Sequence, residues 1–176
     1  MADNPMCQKQ LIGRMSYLLQ EYWKTQNAGG SIPTVEQLRE ALKKTAVINL
    51  NKRGGDKVLQ KRIFKNYCKK YAPFIKREIE LIDPDVIVWC APEINNPQRD
   101  FKIPSDKILI PMIHTAGAIY IRNNNKDLPI RGSELDEFCD NMRRMDKNEY
   151  MECRRSTVKY MLVFKTRVMK ALTQEN

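Results

Sequence analysis

Apolar residues at 11, 12, 15, 18, 19, 22 and 23 recur at the spacing of one helical face and predict a helix over 11–23. The stretch "NAGGSIP" (27–33) interrupts it as a loop. Thr34 stands where an N-cap belongs, ahead of a helix through Lys43 that turns Leu38 and Leu42 inward. The pattern then shortens. "TAVINL" (45–50) is a brief apolar run of strand type, and Gly54-Gly55-Asp56 opens another helix with Asp56 as its cap. Leu59, Ile63, Phe64 and Tyr67 form the apolar side of that helix, while Lys57, Lys61, Lys65 and Lys69 recur every fourth residue along another face. Pro73 is expected to start a fresh helical segment, because its ring and missing N–H disfavour a helix interior. That segment ends before Asp83-Pro84.

"DVIVWC" (85–90) is the clearest strand, an unbroken apolar run suited to a sheet covered on both faces. Residues 92–106 read as a loop, and "KILIPMIH" (107–114) as a third strand. The C-terminal part returns to helical spacing. Ser133 is placed as the cap of a helix over 134–147, and 149–172 carries apolar positions at 158, 161, 162, 168, 169 and 172. Strands that alternate with helices imply an α/β fold: a three-layer sandwich around a mostly parallel central sheet. The chain reads as one domain over 1–176, with a helical extension at about 133–172.

Composition narrows the class. Apolar content of 42% and charged content of 30% describe a globular chain, and no apolar stretch approaches the ~20 residues of a membrane span. The start "MADNPMCQKQ" lacks the apolar core of a secretory signal, so a cytoplasmic location is expected. Five dispersed cysteines and one histidine offer no metal-ligand spacing; no metal, cluster or other cofactor is expected. The net charge of +10 is unevenly spread. Residues 52–77 hold ten Lys/Arg against the single acid Asp56, and 143–170 hold nine against three acids. Local positive fields of this kind attract polyanions, of which nucleic acid is the commonest; the plain alternative is a solvated basic surface.

In parallel sheets, ligands gather beyond the carboxyl ends of the strands. Asn49 and His114 both fall at such predicted ends. An amide can read the edge of a base because it carries both donors and an acceptor. An imidazole can donate to a developing anion. The plainer alternatives are a strand-end turn residue and a structural histidine.

Three blocks in order, "AVINLNKR", "YAPFIKREIELIDPDVIVWC" and "ILIPMIHTAGAIYIR", resemble the uracil-DNA glycosylase superfamily over about residues 45–122. "LIGRMSYLL" (11–19) is similar to a block that follows that superfamily's first motif. The resemblance implies the glycosylase sandwich and a DNA-binding protein that excises a damaged or modified base by hydrolysing its N-glycosidic bond. It implies Asn49 as the amide that reads an extrahelical base and His114 as the group that stabilises the departing base. Lys52, Arg53, Lys57, Lys61, Lys65 and Lys69 would contact phosphates of single- or double-stranded DNA, with Thr115 and Gly117 close to the backbone.

The chain departs from the superfamily in three places. Thr115-Ala116-Gly117 replaces the wedge after the histidine, and Arg53 and Tyr71 stand near where cluster cysteines would fall. Only twelve residues precede Gly13, so Asp3 and Asn4 are the sole candidates for the water-positioning motif. Hydrolysis is therefore expected only if that motif is supplied. The alternative is a non-catalytic module on the same fold that binds nucleic acid or a protein, or self-associates. The methionine-rich C-terminal helices are one candidate surface for a protein.

Overall fold

The structure, a computed structural model, describes residues 5–25, 33–48, 50, 61–91, 94, 96–112, 125–146 and 155–173. The described residues form six helices and two short strands. They divide into two compact units: Met1–Thr45 with Ile113–Asn176, and Ala46–Met112. No described helix is long and apolar enough to cross a membrane.

The first unit is helical. α1 (Pro5–Thr25) begins well before the apolar pattern that predicts it, and Trp23, expected on its inner face, is exposed. α2 (Val35–Lys43) is capped as expected. The Gln37 amide N–H donates to the Thr34 hydroxyl, and the Thr34 N–H donates to the Gln37 side chain at 2.8 Å. This reciprocal pair satisfies two donors that the first turn leaves open. Leu38 and Leu42 of α2 lie over Gly13 of α1, a position buried in mid-helix. The Gln20 side chain donates to the Ala41 carbonyl, and the Thr45 hydroxyl lies 2.7 Å from that of Ser16. α5 (Gly132–Asp146) starts at a glycine in the left-handed region, φ 60°, where a side chain would be strained. Ser133 therefore falls inside the first turn and is not the cap. α6 (Arg155–Thr173) packs on α1 and α5. Its buried positions are Val158, Tyr160, Val163, Phe164 and Val168.

The second unit carries the sheet. α3 (Lys61–Ile82) is one continuous helix with Pro73 inside it, not two segments. Proline removes one backbone hydrogen bond there, yet its ring sits on the exposed side, while Cys68, Ile75 and Ile79 hold both halves against one core. Asp83 ends the helix at φ 45°, and its carboxylate accepts from Lys107 Nζ at 2.7 Å. β1 (Val86–Trp89) and β2 (Ile108–Pro111) pair in parallel, with Val86 opposite Ile108 and Trp89 opposite Pro111. α4 (Pro97–Phe101), in the stretch read as a loop, joins them and buries Phe101 against Trp89 with ring centroids 5.3 Å apart. Its start is an Asn96 cap followed by proline in the first turn.

The three-layer α/β sandwich is overturned by this architecture. The described residues are predominantly helical, and their sheet has two strands. Of the three expected strands, 45–50 does not form among its described residues: Thr45 is tied to the end of α2, and Val47 is exposed. Ile48 and Leu50 pack on the second unit's core without joining a ladder. β1 is not covered on both faces either, since Val86, Ile87 and Val88 are only half-buried.

Candidate nucleic-acid interface

The resemblance to uracil-DNA glycosylases falls with the sandwich. That superfamily builds its site on a sheet enclosed by helices, which the described residues, mostly helical with a two-stranded sheet, do not supply. The block "LIGRMSYLL" lies in the middle of α1, not after a strand and loop. Glycosylase and hydrolase activity is withdrawn with the fold that implied it. Asn49, Lys52, Arg53, Lys57, His114, Thr115 and Gly117 lie outside the described residues, and so does the side chain of Lys61. The expected cleft shared by Asn49 and His114 falls there too.

Two of the expected phosphate-contacting residues are placed, Lys65 and Lys69, both exposed on α3. At about 100° per residue, Arg62, Lys65, Lys69 and Lys76 fall within an arc of about 60° on that helix. Arg62, Lys65, Lys69 and Lys70 are exposed, and no acid among the described residues pairs with any of the four. Further along, Lys76 and Arg77 both reach Glu80, at 3.2 and 3.6 Å. The unopposed positive charge is thus concentrated in the N-terminal half of α3. Lys107 behaves differently: its ammonium is held above the usual lysine range, chiefly by the hydrogen bond to Asp83, and it anchors a turn away from this face.

A second feature of α3 escaped the helical pattern. Ile63, expected inward, is 52% exposed, and so are Phe74 (66%) and Leu81 (68%). These three positions fall within about 20° of one another around the helix, with Lys70 and Arg77 beside them. A seven-residue step from Tyr67 to Phe74 to Leu81 is present in the sequence, while the expected inward side, Leu59, Ile63, Phe64 and Tyr67, includes the exposed Ile63. The aromatic rings form a series. Tyr67 is buried and stacks on Tyr71 at 4.3 Å, and Tyr71 meets the exposed Phe74 at 6.1 Å. Lys70 Nζ lies 5.8 Å from the Tyr71 ring centre.

Among the described residues no group of three His, Cys, Asp or Glu side chains converges as a metal site. No protein-family model, curated protein or solved structure matches the chain.

Proposed function

We infer that the protein binds nucleic acid through the basic N-terminal half of α3. The observation that carries this reading is the run of four exposed cations, Arg62, Lys65, Lys69 and Lys70, with no acid pairing them among the described residues. They span about 12 Å of helix. Ammonium and guanidinium groups held this way release counterions when phosphates replace them, which drives association without reading sequence. The surrounding sequence extends the field, since 52–77 carries ten cations against one acid. A cytoplasmic location belongs to the same reading. Cys68, Cys90 and Cys139 are not joined in disulfides, which suits a reducing compartment.

Equilibrium binding of labelled DNA across a salt series tests the reading. Neutralising about four phosphates gives a slope of about −3.6 in log K against log salt for duplex, or about −2.8 for single strands. The double variant Lys65→Glu, Lys69→Glu is expected to weaken binding equally for unrelated sequences and to flatten the slope by about 1 for each phosphate left without its cation. Undetectable binding at low salt rules the reading out.

A further inference from the structure

We propose that Glu80 sets the length of the nucleic-acid contact on α3: it confines the contact to the N-terminal half of the helix by holding back Lys76, the next cation of the same row. This rests on the nucleic-acid reading and names the residue that limits the surface. Arg62, Lys65, Lys69 and Lys76 share one side of α3, and the first three meet no acid among the described residues. Lys76 differs in having a partner. Its ammonium lies 3.2 Å from Glu80 Oε1, and the Arg77 guanidinium lies 3.6 Å from Glu80 Oε2. Lys76, Arg77 and Glu80 together carry one net positive charge, where Arg62, Lys65 and Lys69 carry three.

Glu80 stands on the same side as the row. It follows Arg62 by about five full turns, which returns it to the same direction around the helix. The other acid of α3, Glu78, points about 160° away from it. Glu80 is therefore the acid of α3 that a polyanion lying along the row would meet. A phosphate brought to Lys76 would find a carboxylate already beside the same ammonium, and like charges that close repel. The ion pair itself is a weak one, because both side chains are 41% exposed. It is the negative charge of Glu80 on this side, and not the strength of the pair, that ends the row. Without that charge the row from Arg62 would run on from Lys69, about 10 Å along the helix, to Lys76 at about 21 Å.

Fluorescence anisotropy with the full chain tests this, using labelled oligo-dT and a duplex of the same length across a salt series. Glu80→Gln keeps the size of the side chain and removes its charge. It is expected to steepen the slope of log K against log salt by about 0.9 for duplex or about 0.7 for oligo-dT, the share of one added phosphate. At about 0.1 M salt that corresponds to binding about 8-fold or about 5-fold tighter. Lys76→Gln alone is expected to leave the wild-type slope unchanged, and in the Glu80→Gln background to remove the gain. Glu40→Gln makes the same change in net charge on α2, where it releases Lys43 from an exposed ion pair, and is expected to leave the slope unchanged. An equal gain in Glu40→Gln would trace the effect to net charge and overturn the proposal. So would a gain that survives Lys76→Gln. Wild-type affinity and slope in Glu80→Gln, while the double variant Lys65→Glu, Lys69→Glu still binds more weakly, also overturns it and leaves the nucleic-acid reading standing. If neither probe binds the wild type at low salt, both fall.

Discussion

α6 in the first unit and α3 in the second are long helices of similar length, 19 and 22 residues, and both are strongly basic. They dispose of their aromatic residues in opposite ways. α6 buries Tyr160 and Phe164 completely, under α1 and α5. α3 buries Tyr67 but leaves Phe74 in water. The cations differ too. Arg167 and Lys170 of α6 converge on one buried carboxylate, Asp127, whereas Arg62, Lys65 and Lys69 of α3 meet no acid among the described residues. The same residue types thus hold one unit together and leave the other with a surface whose charge and apolar area have no internal use. Amphipathic helices satisfy their own core first; what remains exposed after that is where a ligand can add binding energy.

The sharpest way to break this contrast is to truncate one phenylalanine in each helix. Phe164→Ala empties a site with no solvent exposure and is expected to cost about 3–5 kcal/mol. Phe74→Ala removes a ring that is mostly in water and is expected to change stability by less than about 0.5 kcal/mol. Urea denaturation of both variants measures the difference. Equal destabilisation would mean that Phe74 contributes packing that its exposure does not show, and would erase the contrast between the two helices.

The helices were largely legible because apolar periodicity reports them directly. The Thr34 cap and the end of α2 at Lys43 stand as read, and the two clearest strands pair in parallel. Burial was less legible. Periodicity placed Ile63 inside and missed Tyr160, Val163 and Phe164, because two adjacent apolar faces on one helix look alike until a partner covers one of them. The third strand failed for a related reason. "AVI" has strand propensity, but a strand exists only with a ladder partner, and among the described residues none pairs with Thr45–Ile48. Pro73 misled in the other direction, since core packing on both sides of it outweighed one missing hydrogen bond. The basic face was legible from charge counts alone, and Lys65 and Lys69 are exposed as that face requires. The exposure of Phe74 was not, because exposure of a single phenylalanine is settled by packing that no local pattern records.

The second test concerns the ion cluster that sets α6 apart. Asp127 accepts from Arg167 Nε at 2.8 Å and from Lys170 Nζ at 2.9 Å, which pins the segment before α5 to the last turns of α6. Burial alone would push the carboxyl upward; the hydrogen bonds from Lys170 and Arg167 outweigh it and hold the group below its usual range. Asp127→Asn is expected to cost about 1–2 kcal/mol near neutral pH, a figure kept low because both cations still reach water. The folded carboxyl is the more acidic, so this contribution is present above the unfolded value of about 3.9 and is lost as pH falls through the folded one. The gap between wild type and Asp127→Asn should therefore close in acid. A gap that stays constant from about pH 7 to about pH 3, across the unfolded carboxyl range, would show that Asp127 acts by shape and not by charge.

The smallest expected effect tests how tightly the first unit is closed. Gly13 sits inside α1, where a glycine costs roughly 0.5–1 kcal/mol relative to alanine because the unfolded chain has more freedom to lose. Such a glycine is usually explained by a neighbour that leaves no space for a side chain. Here a methyl group at position 13 would lie 3.5 Å from Leu38 Cδ2 and 3.6 Å from Leu42 Cδ1, which is ordinary van der Waals contact with flexible leucine ends. Gly13→Ala is therefore expected to stabilise the protein by about 0.5–1 kcal/mol and to raise the melting temperature by about 1–4 °C. Because the new methyl touches α2, the gain should shrink in a Leu38→Ala background, and a double-mutant cycle reads that coupling. A fall in melting temperature would mean that α1 and α2 approach more closely than those distances allow. The first unit would then be packed to the point where only glycine fits, which would widen its contrast with the open face of α3.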